Sequence, residues 1–453
     1  MDKVSKLSLE SLLLAKLKGK MALLLPDEER QALAAFALEE VLKEDHAGEF
    51  RRQLSDIAQK VQFIEDFLSY GVLEEILCDP DVEDIIINAL KPIYIHHAQK
   101  GFICTNKMFS SRRELDIFVE KLIVFSGRHG YAKIANIELA NLAGRVNIVD
   151  TPLGPQLTIT KAKVDPLSII DLIKTGSLTY EVAGQLWLYM EGLSLRPANL
   201  IIAGGPGTGK TTLLNALLAF IPPKDRMVVI EDTLELNTFL EDSCSRLETD
   251  EGLSLSDLVK NSLRMRPERI IIGEVRGEEA RDMMTAVNTG KYCMGTMHAL
   301  TSREAIIRLS NEPMNVPNML IGLIDVFVVL KRYHVDGKIF RVVEEVSETS
   351  GMENSKVLLS HIFKYNYEQK RTVAVSPSTI YRDRLAHESG LPPRDIIAEI
   401  WIRANILKNL AERGLHTIKE VATFSRYYAE NPTEAMSKIG LDRQRMLKEI
   451  NKN

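Results

Sequence analysis

Residues 200–211 read Leu-Ile-Ile-Ala-Gly-Gly-Pro-Gly-Thr-Gly-Lys-Thr, and the fold turns on this stretch. The apolar run 200–203 predicts a buried strand. Gly204, Gly205, Pro206, Gly207, Thr208 and Gly209 cannot extend it and predict a tight turn, after which residues 210–220 carry helical spacing. Strand, glycine-rich turn and helix in that order, with the spacing G-x-x-x-x-G-K-[ST], make a cradle for phosphate. The glycines let successive backbone N–H groups converge on phosphate oxygens, and the helix start adds the positive end of its dipole. Lys210 is placed to reach the β- and γ-phosphates of a nucleotide. The Thr211 hydroxyl, with Thr212 beside it, is placed to ligate Mg²⁺.

Downstream, the short apolar runs 227–230, 269–272, 293–297 and 326–330 alternate mostly with helical patterns. That alternation predicts an α/β architecture, a mainly parallel sheet covered by helices on both faces. Ligands in such sheets bind at the carboxyl ends of the strands. Three of these runs end in groups that suit phosphate chemistry. The first leads into Glu231-Asp-Thr-Leu-Glu235, the second through Gly273 into Glu274, and the third into His298. One carboxylate there can orient an attacking water and another can hold hydrated Mg²⁺. A histidine can sense the terminal phosphate.

The rest of the chain divides by pattern. Residues 1–60 are rich in Leu, Ala, Glu and Lys at helical spacing and predict helices that form an N-terminal arm or a small bundle. Residues 61–166 mix strand-like runs at 84–88, 92–96, 145–149 and 157–161 with a helix over 110–126 capped by Ser110 or Ser111, an α+β domain. Residues 167–350 hold the cradle and its sheet, and 351–453 read as mostly helical. A formal net charge of −5 argues against a surface that coats nucleic acid. Cys78, Cys104, Cys244 and Cys293 form no C-x-x-C pair, which suits a reducing compartment without structural zinc. Charges interrupt every apolar run before it reaches the ~20 residues of a spanning helix, so a cytoplasmic protein that reaches a membrane through a partner is expected.

Four segments in chain order are distinctive together: 204–211, Glu231-Asp-Thr-Leu-Glu235, the stretch 263–277 (Leu-Arg-Met-Arg-Pro-Glu-Arg-Ile-Ile-Ile-Gly-Glu-Val-Arg-Gly) and Thr296-Met-His-Ala299. They resemble the four boxes of the type II/type IV secretion, type IV pilus and archaellum ATPases. Asp79-Pro-Asp-Val-Glu-Asp-Ile-Ile-Ile87 and Gly144-Arg-Val-Asn147 are similar to that family's N-terminal domain. The segment around Lys331-Arg, Gly337 and 341–346 looks closest to the archaeal pilus and archaellum branch.

The resemblance implies a RecA-like P-loop domain, ATP as substrate with Mg²⁺, and a homo-hexamer. It also implies a polytopic membrane platform protein as partner, and pilin-like or secreted substrates engaged only indirectly. By position it casts Glu235 as a catalytic or metal-ordering carboxylate and Glu274 as the Walker B acid. His298 takes the place of the His-box histidine, and Arg145 and Arg276 are candidate phosphate or inter-subunit contacts. Metal ligation falls to Thr211, Glu235 and Glu274. Where many relatives have Ile-Arg-Lys-Phe, this chain has Thr158-Ile-Thr-Lys161-Ala-Lys163, and lysine lacks the bidentate fork of arginine. Two other classes share parts of this pattern: a RecA-like nucleic-acid motor, which the acidic balance disfavours, and a nucleotide-binding scaffold with a dead site, which intact Lys210, Thr211, Glu235 and Glu274 disfavour.

Overall fold

The computed structural model describes residues 3–450 apart from 24, 47, 99, 131–132, 139–143, 162–165, 237–242, 251 and 336–337. The chain forms two compact units, Met1–Asp165 and Pro166–Asn453.

In the first unit, strands β1 (Val82–Asn88), β2 (Tyr94–His97), β3 (Gly101–Cys104), β4 (Ile134–Glu138), β5 (Gly144–Thr151) and β6 (Gly154–Lys161) make an antiparallel sheet in the order β3-β2-β1-β6-β5-β4. The helix Arg112–Phe125 starts where the Ser111 hydroxyl accepts from the Glu114 N–H at 3.2 Å. It is buried on two sides. Leu115, Phe118, Val119 and Leu122 pack with the sheet, while Ile117, Val124 and Phe125 share a second core with Leu9, Leu13, Leu14 and Leu38 of the N-terminal helices and with Phe63 and Phe67. Each such buried Leu or Phe contributes roughly 1.5–3 kcal/mol. Residues 1–60 are therefore not a separate arm. They complete the core that this two-sided helix leaves open, and the division expected at residue 60 falls inside one unit.

The second unit carries β7 (Leu200–Gly204), β8 (Met227–Glu231), β9 (Cys244–Glu248), β10 (Arg269–Ile272), β11 (Tyr292–Met297), β12 (Val326–Val335), β13 (Lys338–Glu353), β14 (Lys356–Asn366) and β15 (Arg371–Ala374). Their order is β15-β14-β13-β12-β7-β11-β10-β8-β9. Pairs from β12 to β9 run parallel, and those from β12 to β15 antiparallel. Successive residues of β7 enter opposite cores, Leu200 and Ile202 on one face and Ile201 and Ala203 on the other, as expected for a sheet covered on both sides.

The sheet does not stop at residue 350: β14 and β15 extend it as an antiparallel edge, and only then does the chain turn helical. The helices Pro393–Glu412 and Ile418–Glu430 bury Ile402, Ile406 and Val421 in the same core as Leu186 and Trp187 of the helix Tyr180–Glu191. Arg403 is buried between Glu191 (2.9 Å) and Glu399 (2.5 Å), with its guanidinium over Trp187 and Tyr428. The residues 351–453 thus belong to the second unit. Tyr428 is a packing residue, whereas Trp401 is 44% exposed.

Candidate functional site

Strand β7 delivers the chain to Gly204, and the helix Lys210–Leu218 takes it away; between them the loop is shaped by its glycines. Gly207 (φ 65°) and Gly209 (φ 92°) lie in the left-handed region that side chains resist. Gly204 is required for space instead. A Cβ there would sit 2.5 Å from Thr208 Oγ1 and 2.8 Å from the Leu330 carbonyl oxygen. Thr208 Oγ1 donates to Gly205 O at 2.9 Å, and Lys210 Nζ donates to the same oxygen at 3.1 Å. Burial lowers the Lys210 pKa from its ordinary value, against the pull of Glu274. Thr211 and Thr212 are half-buried on the first helical turn, while Pro206 is exposed at the loop's crest.

The neighbouring strand tips supply the rest. Lys210 Nζ lies 3.4 Å from His298 Nδ1, and His298 Nε2 lies 3.3 Å from Glu274 Oε1. The Lys210 ammonium donates to His298 Nδ1, and the other nitrogen of the same ring faces the Glu274 carboxylate. The tips of β10 and β11 are tied by Thr296 Oγ1 donating to Gly273 O at 2.6 Å and by the Val275 N–H donating to Thr296 O at 2.7 Å. Lys210, His298 and Glu274, read separately from the sequence, form one line of polar contacts.

The acids of the second box behave differently from each other. Glu231, at the end of β8, is 2% exposed. Its Oε1 accepts from the N–H groups of Glu235 and Leu236, both at 3.0 Å, and fixes the turn after the strand. Its Oε2 lies 3.6 Å from Arg246 and has no hydrogen-bond partner among the described residues. Burial pushes this carboxyl up to about 7, against the two backbone donors and Arg246. A Cβ on Gly273 would stand 3.0 Å from Glu231 Cγ, which explains a glycine before Glu274. Glu235, the acid favoured from the sequence, is exposed on the turn that Glu231 holds.

Arg276 is bound to Asp232 at 2.5 Å, and its N–H donates to Glu279 at 2.6 Å, so it links the tips of β8 and β10. Arg145 belongs to the first unit, on β5 opposite Thr160 and Glu138. In that unit Lys161 donates to Asp79 O at 2.5 Å. Lys163 lies outside the described residues.

Two arginines that sequence reasoning did not place in the site stand against the loop. Arg341 Nε donates to Gly207 O at 2.9 Å, and Arg332 Nη1 lies 3.0 Å from where a Gly207 Cβ would be. The available signal was their near-symmetric spacing about Asp336-Gly337, a hairpin-turn dipeptide. The oxygen donors of the loop's helix and of the strand tips, the Thr211 hydroxyl with the carboxylates of Glu231, Glu235 and Glu274, are hard ligands of the kind Mg²⁺ takes, and Glu231 Oε2, facing Arg246 without a hydrogen-bond partner among the described residues, keeps a lone pair for such an ion or its water.

A parallel sheet with a phosphate loop and acids at adjacent strand tips defines a P-loop nucleotide-binding protein of the RecA-like kind. The family model described as "Type II/IV secretion system protein" matches residues 133–332. The uncharacterized protein MJ0900 of Methanocaldococcus jannaschii is 31% identical over 82% of this chain and 69% of its own length. MJ1287 of the same organism is 32% identical over 57% of this chain and 98% of its own. The conjugal transfer protein TrbB of Rhizobium radiobacter is 29% identical over 63% of this chain and 89% of its own. The chain belongs to the type II/IV secretion ATPase superfamily.

Proposed function

We propose that this chain is a motor subunit that hydrolyses ATP to ADP and phosphate, works as a homo-hexamer in the cytoplasm, and passes its motion to a polytopic membrane platform. The platform in turn assembles pilin-like subunits or exports a substrate. The observation that carries the catalytic reading is the line Lys210–His298–Glu274, which joins the phosphate loop to two neighbouring strand tips. The likeness to the archaeal proteins MJ0900 and MJ1287 supports an archaeal branch of the family. Among the described residues no helix is long and apolar enough to cross a membrane, which is compatible with docking through a partner.

The loop amides and the Lys210 ammonium bind the phosphate chain and neutralise charge as the terminal bond breaks. Glu274 orients the attacking water and takes its proton on the carboxylate. His298 links Glu274 to Lys210, so the arrival of a γ-phosphate at the ammonium is felt at the base. Thr211, Glu235 and Glu274, together with Glu231, would hold Mg²⁺, which when bound screens the β- and γ-phosphate charge. Arg276 and Arg145 are candidates for charge at the phosphates or between subunits. Steady-state phosphate release by the purified chain tests the assignment. Turnover is expected in the assembled state and should be lost in Lys210→Ala. A protein that turns over ATP in no oligomeric state refutes it, and turnover that requires nucleic acid would point to the other kind of RecA-like motor.

A further inference from the structure

Strand β12 runs parallel to β7 and pairs Leu330 with Gly204, the last residue of β7. There β7 turns into the loop, but β12 continues. Residues 331–335 and their β13 partners therefore form a hairpin alongside the phosphate loop, with Arg332 directly opposite Arg341. Side chains alternate across this hairpin. Tyr333 and Phe340 stack on each other at 5.5 Å and join Tyr365 and Tyr367 on one face, and Lys331 is paired with Glu344 and Tyr367. Arg332 and Arg341 have no carboxylate within ion-pair distance among the described residues, and both lean on Gly207.

Strand order gives this pair a direction. Glu274 and His298 come from β10 and β11, on one side of β7; the arginines come from β12 and β13, on the other. If the terminal phosphate lies at the Lys210–His298–Glu274 line, the phosphate chain must run away from it across the loop. Its α-phosphate and nucleoside then lie against the hairpin.

We propose that Arg332 and Arg341 are the nucleoside end of the site: their guanidinium groups take the α-phosphate and the flat face of the purine. This rests on the ATP-binding reading above. Guanidinium suits both tasks, since it offers forked donors to phosphate and a plane that stacks on aromatic rings. Such contacts are made equally to ATP, ADP and the transition state, so they serve binding rather than the chemical step.

The test compares wild type, Arg332→Ala, the double Arg332→Ala/Arg341→Ala variant and Arg332→Lys. Calorimetric titration with ADP and with a non-hydrolysable ATP analogue is run beside steady-state kinetics. The double variant should weaken both ligands by the same factor, about tenfold or more, and raise KM likewise while leaving kcat within about twofold. Arg332→Lys should recover part of the loss by restoring charge without the plane. Arg332→Ala breaks no bond to the loop, and an unchanged melting temperature excludes misfolding. The proposal is overturned if ADP affinity is unchanged, which would make the pair a structural prop for Gly207. It is also overturned if kcat and analogue binding fall while ADP binding holds, which would put the arginines at the γ-phosphate. Loss of nucleotide binding by wild type itself, or retention of binding by Lys210→Ala, would instead sink the function proposed above.

Discussion

Replacing Glu231 by Gln should remove a pH dependence from the heart of the sheet. The native carboxyl ionises near 7, whereas an unperturbed one does so near 4.5. Its folded-state pKa is raised, so the unfolded chain releases the proton first as pH climbs. The stability it protects is complete below pH 4.5, falls between 4.5 and 7, and is flat above. Across the whole window that is about 3.4 kcal/mol, and between pH 5.5 and 8 about 2 kcal/mol, or roughly 25-fold in the opening equilibrium. Gln keeps an oxygen for the N–H groups of Glu235 and Leu236 and cannot ionise. Arg246 and Glu235 are the charged groups facing it, and both remain in the variant. Hydrogen exchange of the β8 amides, corrected for intrinsic rates, reads the local opening. Wild-type protection relative to Glu231→Gln should fall by that factor between pH 5.5 and 8. Parallel pH profiles for the two proteins would refute the reasoning.

Three further substitutions follow from the geometry. Gly204→Ala drives a methyl onto the Leu330 carbonyl and Thr208 Oγ1; overpacking of about 1–3 kcal/mol at the loop should cost nucleotide affinity about tenfold or more, read by titration calorimetry. Arg403→Ala leaves Glu191 buried without its cation, while Glu399 keeps Arg443, and should destabilise the second unit by about 3–5 kcal/mol, with Arg403→Met milder, as measured by exchange of the helix Tyr180–Glu191. Arg276→Ala breaks an ion pair whose arginine is 61% exposed, and should leave the melting temperature unchanged because such pairs contribute about 0–1 kcal/mol.

The central strands were legible because their signals are local. An apolar run that ends in glycine, acid or histidine says both "buried strand" and "strand tip", which located β7, β8, β10 and β11, and the apolar run 326–330 by itself located the start of β12. Strands β9, β14 and β15 carry polar residues on a partly exposed face, so their alternation is weak, and β14 is recognisable only by the partner it pairs with. The boundary at residue 60 failed for a related reason: periodicity shows that the helix Arg112–Phe125 is apolar, not that it is buried on both sides. Within the site, Glu231 and Glu235 are the same residue type four positions apart. Burial separates the anchor from the exposed acid, and burial is a tertiary property. Arg332 and Arg341 needed the register between β12 and β13, and of β12 with β7, before their meeting at Gly207 could be seen.

Single-turnover quenching of radiolabelled ATP on the assembled protein tests the central claim most directly. Wild type should convert bound ATP to ADP and phosphate; Glu274→Gln should hold the ATP intact well beyond that time, and Lys210→Ala should retain no nucleotide. Phosphate released by Glu274→Gln at the wild-type rate would contradict the role given to the strand-tip acid.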